Sequence, residues 1–130
     1  MRVKLVSEVV AREMARPYIY GQSDCFFLAI DVIDGIRGAS LREKYADRYS
    51  SLKGAQKALR RAKCKSLVDL FKRELGDPIP ASRAEIGDVA VCDVAGAEHM
   101  AVWGGSSWIS RTERGQATFN HIDVKAAFKV

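Results

Sequence analysis

The chain has 130 residues, enough for one compact domain with a core of its own. Its 48% hydrophobic and 28% charged content excludes a disordered chain, and its longest apolar run, Cys25–Ile30, is far too short to span a membrane. Lys and Arg total 21 against 16 Asp and Glu, a net charge of +5, and much of the excess falls between Lys53 and Arg73. Such a run reads first as a solvated helical face and second as a patch for an anionic partner. It lacks the interleaved aromatics of a nucleic-acid footprint, so nucleic acid is not expected as a partner.

The predicted elements fall into a helical half followed by a strand half. Ser7 caps a helix through about Ala15, ended by Arg16-Pro17. Pro17 and Gly21 punctuate the next segment, and Ser23 or Asp24 caps a helix from Cys25 to about Asp34, closed by Gly35 and Gly38. Ser40-x-x-Glu43 and Ser66-x-x-Asp69 read as capping boxes for helices near 41–46 and 67–75. Between them, Leu52, Ala55, Leu59 and Ala62 recur at helical spacing, and Gly76-Asp77-Pro78 stops the helical half. From Gly87 the period changes. Asp88–Asp93 and His99–Trp103 are short apolar runs separated by a turn at 95–98, Trp108–Arg111 resumes after Gly104-Gly105, and further strands fit 117–119 and 127–130. Helices followed by an antiparallel meander predict one α+β domain over residues 1–130, with the Cys25 helix packed across the sheet.

Three cysteines, Cys25, Cys64 and Cys92, show no paired spacing, which suits a reducing compartment rather than a disulfide framework. Without a CxxC or HxxxH arrangement no metal site is expected, and nothing points to another cofactor. The N-terminus carries Arg2 and Lys4 but only Val9-Val10-Ala11 as an apolar patch. It therefore predicts synthesis without a signal peptide, and no membrane partner.

Cys25 is the residue best placed for chemistry. A thiol at a helix N-terminus meets unpaired N–H groups and the positive end of the dipole, both of which favour thiolate. A cysteine nucleophile also needs a base, normally histidine, brought to it by the fold. His99, opening a predicted central strand, is the first candidate and His121 the alternative. Cys64 and Cys92 read as buried core thiols, Asp24 as a helix cap, and Trp103 and Trp108 as cross-strand partners. Tyr18 and Tyr20 fit packing as well as a site.

Pro17-Tyr18-Ile19-Tyr20-Gly21 followed by Asp24-Cys25 resembles the Pro-Tyr-x-Trp-Gly…Asp-Cys signature of the NlpC/P60 cysteine peptidases. Gly87-Asp88-Val89-Ala90-Val91 is similar to that family's Gly-Asp-Leu-Val-Phe strand, and His99-Met100-Ala101-Val102-Trp103 to its His-Val-Gly-Ile-Tyr strand. The short format also resembles phage and prophage proteins of the same papain-like fold. The resemblance implies hydrolysis of amide bonds in peptidoglycan stem peptides through a thioester. Cys25 would be the nucleophile and His99 the base, with Tyr18, Tyr20 and Asp24 beside the substrate and oxyanion. The peptidoglycan peptide and phage tail proteins are the implied partners, a bacterial cytoplasm the implied place of synthesis, and virion association the implied destination.

The family's third polar residue, which orients the histidine, falls on Ser110, with Asp93 or a backbone carbonyl as alternatives. Phe26 stands where the family has a small serine, Tyr20 replaces tryptophan, and Ser23 replaces glycine. These departures leave a second expectation open: a structural or interaction protein of phage tail assembly that keeps the fold without turnover.

Overall fold

A computed structural model of the chain describes residues 2–130. Five helices precede five strands: α1 (Arg2–Met14), α2 (Cys25–Arg37), α3 (Leu41–Tyr45), α4 (Leu52–Arg61), α5 (Leu67–Leu75), then β1 (Val89–Val94), β2 (Ala97–Trp103), β3 (Trp108–Thr112), β4 (Gly115–Phe119) and β5 (Val124–Phe128). The strands form one antiparallel sheet in the order β4-β3-β2-β1-β5, so the architecture is α+β. No helix among the described residues is long and apolar enough to cross a membrane.

Helix α2 is apolar nearly all round, and Phe26 through Ile33 are all buried. It packs on β2 and β3 with α1 against its other side. Each fully buried Leu, Ile, Val or Phe of this helix is worth about 2 kcal/mol, which makes α2 the organising element of the core. Val89, Val91, Met100, Val102 and Phe128 meet it from the helix-facing side of the sheet. On the opposite side Ala90, Cys92, Ala101, Trp108 and Ala127 form a second cluster, covered by Ile79, Ala81 and Ala84.

Several predicted boundaries move, each for a local reason. Helix α1 begins at Arg2 rather than at Ser7, because the Arg2 guanidinium is held by the Asp88 carboxylate at 2.7 Å. Gly35 does not close α2; the helix runs through it to Arg37 and ends at Gly38, whose φ of 65° suits glycine. Ser40 and Ser66 make no side-chain cap bonds. Asp34 caps α3 instead, accepting from the N–H groups of Leu41 at 2.8 Å and Arg42 at 3.0 Å. The β1–β2 connection tightens to two residues, Ala95 and Gly96, both with positive φ (53° and 82°), as a two-residue hairpin turn requires.

Arg42 ties α1, α2 and α3 together. Its guanidinium grips Asp31 through Nε (2.6 Å) and Nη2 (2.8 Å) and reaches Glu13 at 3.2 Å. Burial, then the nearby Asp31 charge, push the Glu13 carboxyl above its usual range. The Gly87-Asp88 pair has an equally physical origin. A Cβ at Gly87 would sit 2.6 Å from Ile36 Cδ1, while the buried Asp88 carboxylate accepts from Arg2, from the Glu85 N–H (2.8 Å) and from the Val130 N–H (2.9 Å).

Candidate functional site

The segment before α2 is a compact turn built around Asp24. One carboxylate oxygen caps the helix by accepting from the Phe27 N–H at 3.1 Å. The other accepts from the Gly21 N–H at 3.0 Å and from the Tyr49 hydroxyl. Gly21 adopts a φ of 86°, and a Cβ there would lie 1.9 Å from the Tyr49 carbonyl oxygen. Gly21 and Asp24 are thus the fixtures that present Cys25 at the first turn of α2. Asp24 accepts three hydrogen bonds within this turn, the structural role its capping position predicts.

Cys25 opens onto a cleft of about 1220 Å³. Tyr18, Tyr20, Asp24 and His99 also line it, whereas Ser110 does not. Phe26 sits at its base, edge-on to Phe27, Tyr45 and Phe71 with centroids 5.1, 5.6 and 5.7 Å away. The phenylalanine next to the thiol therefore joins α2 to α3 and α5, the elements that wall the cleft.

The thiol does not follow the helix-start expectation. Burial pushes Cys25 up from 9.0 to about 11; the Met100 backbone pulls the other way, the Asp24 charge adds to the rise, and the Tyr18 hydroxyl opposes it. Desolvation of the charged form outweighs the dipole, so this is a protonated thiol at neutral pH. Tyr18 lies beside both the thiol and the Cys25 backbone N–H, the place expected for an oxyanion contact. Burial raises its own hydroxyl well above the ordinary tyrosine range. Arg111, unforeseen from sequence, supports it: its guanidinium lies 5.3 Å from the Tyr18 ring centre while donating to the Glu13 and Arg16 carbonyls. Tyr20 is turned elsewhere and donates to Glu113 at 2.8 Å rather than to the thiol's surroundings.

The parity of β2 decides where His99 goes. Side chains alternate between faces along a strand. Met100 and Val102 belong to the helix-facing cluster, and the Glu98 carboxylate accepts from the Leu67 N–H at the start of α5. His99 alternates with them. It pairs with Cys92 across β1 and packs its ring 5.6 Å from that of Phe119, on the side of Ala101 and Trp108. His99 thus borders the cleft while its ring packs toward Phe119, on the sheet face of Cys92 and Ala101. Burial lowers the His99 pKa, with the Asp93 charge opposing. The groups acting on the thiol come from Met100, Asp24 and Tyr18; no hydrogen bond joins it to His99 among the described residues.

Ser110 corrects a second expectation. It is fully buried and donates to the Met100 carbonyl at 2.7 Å, which ties β3 to β2; among the described residues no hydrogen bond joins it to His99. Asp93, the alternative, acts on His99 only through its charge. His121 is engaged on the far face, where its Nδ1 accepts from Trp108 Nε1 at 3.0 Å and its ring stacks on Trp103 at 4.8 Å. Trp103 and Trp108 are the expected cross-strand pair, 5.1 Å apart. Cys64 and Cys92 are buried, and burial lifts Cys92 to about 12. Tyr49, the partner of Asp24, was also invisible to motif reading, because nothing near Ser50-Ser51 signals a contact with residue 24.

A family model described as "Domain of unknown function (DUF6950)" matches residues 1–130. No curated protein and no solved structure matches the chain.

Proposed function

Starting from a chain that belongs to the DUF6950 family, we propose that it is a peptide-binding domain of the papain-like NlpC/P60 type, associated with phage or prophage tails, which uses the Cys25 cleft for recognition without hydrolysis. The observation that carries this reading is the parity of β2: the His99 ring packs toward Phe119 while the Cys25 thiol lies by the Met100 backbone and Tyr18. A protonated thiol without a base has no route to a thioester. The NlpC/P60-like motifs and the short format support the fold type and the tail-associated setting of this reading. Purified peptidoglycan or muropeptides, incubated with the protein and with Cys25→Ala, are expected to show equal, background-level cleavage. Cleavage that disappears with the thiol would overturn the proposal.

The same experiment decides a second reading, a cysteine hydrolase of peptidoglycan stem peptides. One observation favours it: the Tyr18 hydroxyl is placed beside both the thiol and the Cys25 N–H, as an oxyanion site would need. In that reading Cys25 attacks the amide carbonyl, the amine leaves with a proton, and water hydrolyses the thioester. His99 would first have to turn its ring across the strand.

A further inference from the structure

Helix α4 borders the cleft without being embedded in the core: no residue of Leu52–Arg61 is buried. Its apolar side nevertheless faces inward, and Leu52, Ala55, Leu59 and Ala62 line the cleft. Leu52 is 58% exposed, an aliphatic surface left open to the cleft. The same wall carries a row of cations, Arg48, Arg60, Arg61, Lys63 and Lys65. Among the described residues none of these five takes part in an ion pair, although the rest of the molecule forms nine such contacts.

The carboxylates of the cleft do not neutralise this wall. Asp24 keeps its charge but is buried at the turn, held by the Gly21 and Phe27 N–H groups and the Tyr49 hydroxyl, and it pairs with none of the five. Glu98 accepts from the Leu67 N–H and pairs with Lys125 at 2.9 Å. Five uncompensated cations along one apolar cavity focus a positive field into it. Lys63 sharpens the point, since it occupies a φ of 62° at the end of α4, where glycine would be unstrained.

We infer that the Cys25 cleft takes an acidic peptide segment of a protein partner, its carboxylates on the Arg48–Lys65 wall and its apolar side chains against Leu52, Ala55 and Leu59. The inference rests on the peptide-binding reading above and gives that peptide its chemistry. A protein segment fits better than a nucleic acid because the tyrosine rings of the cleft are already taken as aromatic partners. Tyr18 meets Tyr20 edge-on, Tyr45 meets Phe26, and Tyr49 stacks on Phe27. Residues 52–65, which carry four of the five cations, have no aromatic side chain on which successive bases could stack.

The test is fluorescence anisotropy with the full chain and three labelled probes: a short peptide alternating Glu and Leu, its Lys and Leu counterpart, and an oligothymidylate. The Glu-Leu peptide is expected to bind, more weakly as salt is added, and the other two to compete poorly. Arg60→Glu with Arg61→Glu should weaken that binding by about tenfold or more. Lys53→Glu with Lys57→Glu changes the net charge equally on the same helix, outside the cleft lining, and should leave binding nearly unchanged. Circular dichroism of both double variants should match that of the parent. The inference falls if the Glu-Leu peptide does not bind, if the Lys-Leu peptide or the oligothymidylate binds as well, or if both double variants weaken binding equally. Cys25-dependent cleavage of muropeptides would instead overturn the non-hydrolytic reading and leave this charge selectivity standing.

Discussion

The start of α2 and the start of β2 carry the two halves of the resemblance, and they differ in kind. Around Cys25, the turn is fixed by Gly21, by the Asp24 cap and by the Tyr49 hydroxyl. Around His99, the strand is fixed by its pairing with β1 and by Met100 and Val102 entering the core. The first arrangement specifies where one side chain sits. The second specifies only a backbone path, with the histidine on whichever face the core residues leave over. A motif that reproduces an element thus need not reproduce the direction in which a side chain leaves it.

The largest effect expected from disturbing this contrast is at the Cys25 end. Gly21→Ala would drive a methyl group into the Tyr49 carbonyl at a positive φ, and should cost about 3 kcal/mol or more in denaturant unfolding. Next is the thiol itself. With a midpoint near 11 instead of 9.0, its alkylation at neutral pH should run about a hundredfold slower than that of the unfolded chain. Because the folded state holds this proton more tightly, the stability it contributes is present below pH 9.0 and lost as pH rises through about 11. A thiol reacting with a midpoint below 9.0 would erase the contrast and restore an activated nucleophile.

Ser110→Ala should cost about 1 kcal/mol, through the lost bond to the Met100 carbonyl, and leave both the Cys25 alkylation profile and the His99 titration unmoved. A shift in either profile would show that Ser110 acts on the pair. Lys63→Gly should stabilise the fold by up to about 1 kcal/mol by relieving the left-handed backbone, while weakening the acidic peptide. The smallest effect is a null one. The His99 ring should titrate by NMR below its usual value, and Cys25→Ala should not move that midpoint. A Cys25-dependent shift would join the two ends after all.

Much of the fold was legible because its signals are local. The Asp24 cap, the apolar run after Cys25 and the change of period at Gly87 each act within a few residues. The strand parity was not, because Glu98, Met100 and Val102 alternate with His99, Ala101 and Trp103 and both sets can be buried. Only the two-residue turn at Ala95-Gly96 and the α2 core choose between them. A slip of one position would exchange the faces. The Tyr49 and Arg111 contacts were hidden for another reason: each joins residues far apart in the chain, and neither sits in a recognisable pattern. The unpaired cations of α4 were visible as a charged run, but only tertiary structure turns that run toward a cavity.

Trp103 and Trp108 both belong with His121 on the sheet face away from the helices. They are the only tryptophans of the chain, while the rings lining the cleft are those of tyrosine and phenylalanine. Intrinsic emission excited at the red edge should therefore track the integrity of the sheet and stay silent when the cleft is filled. The protein thus carries an optical reporter of folding that is separate from occupancy of the cleft.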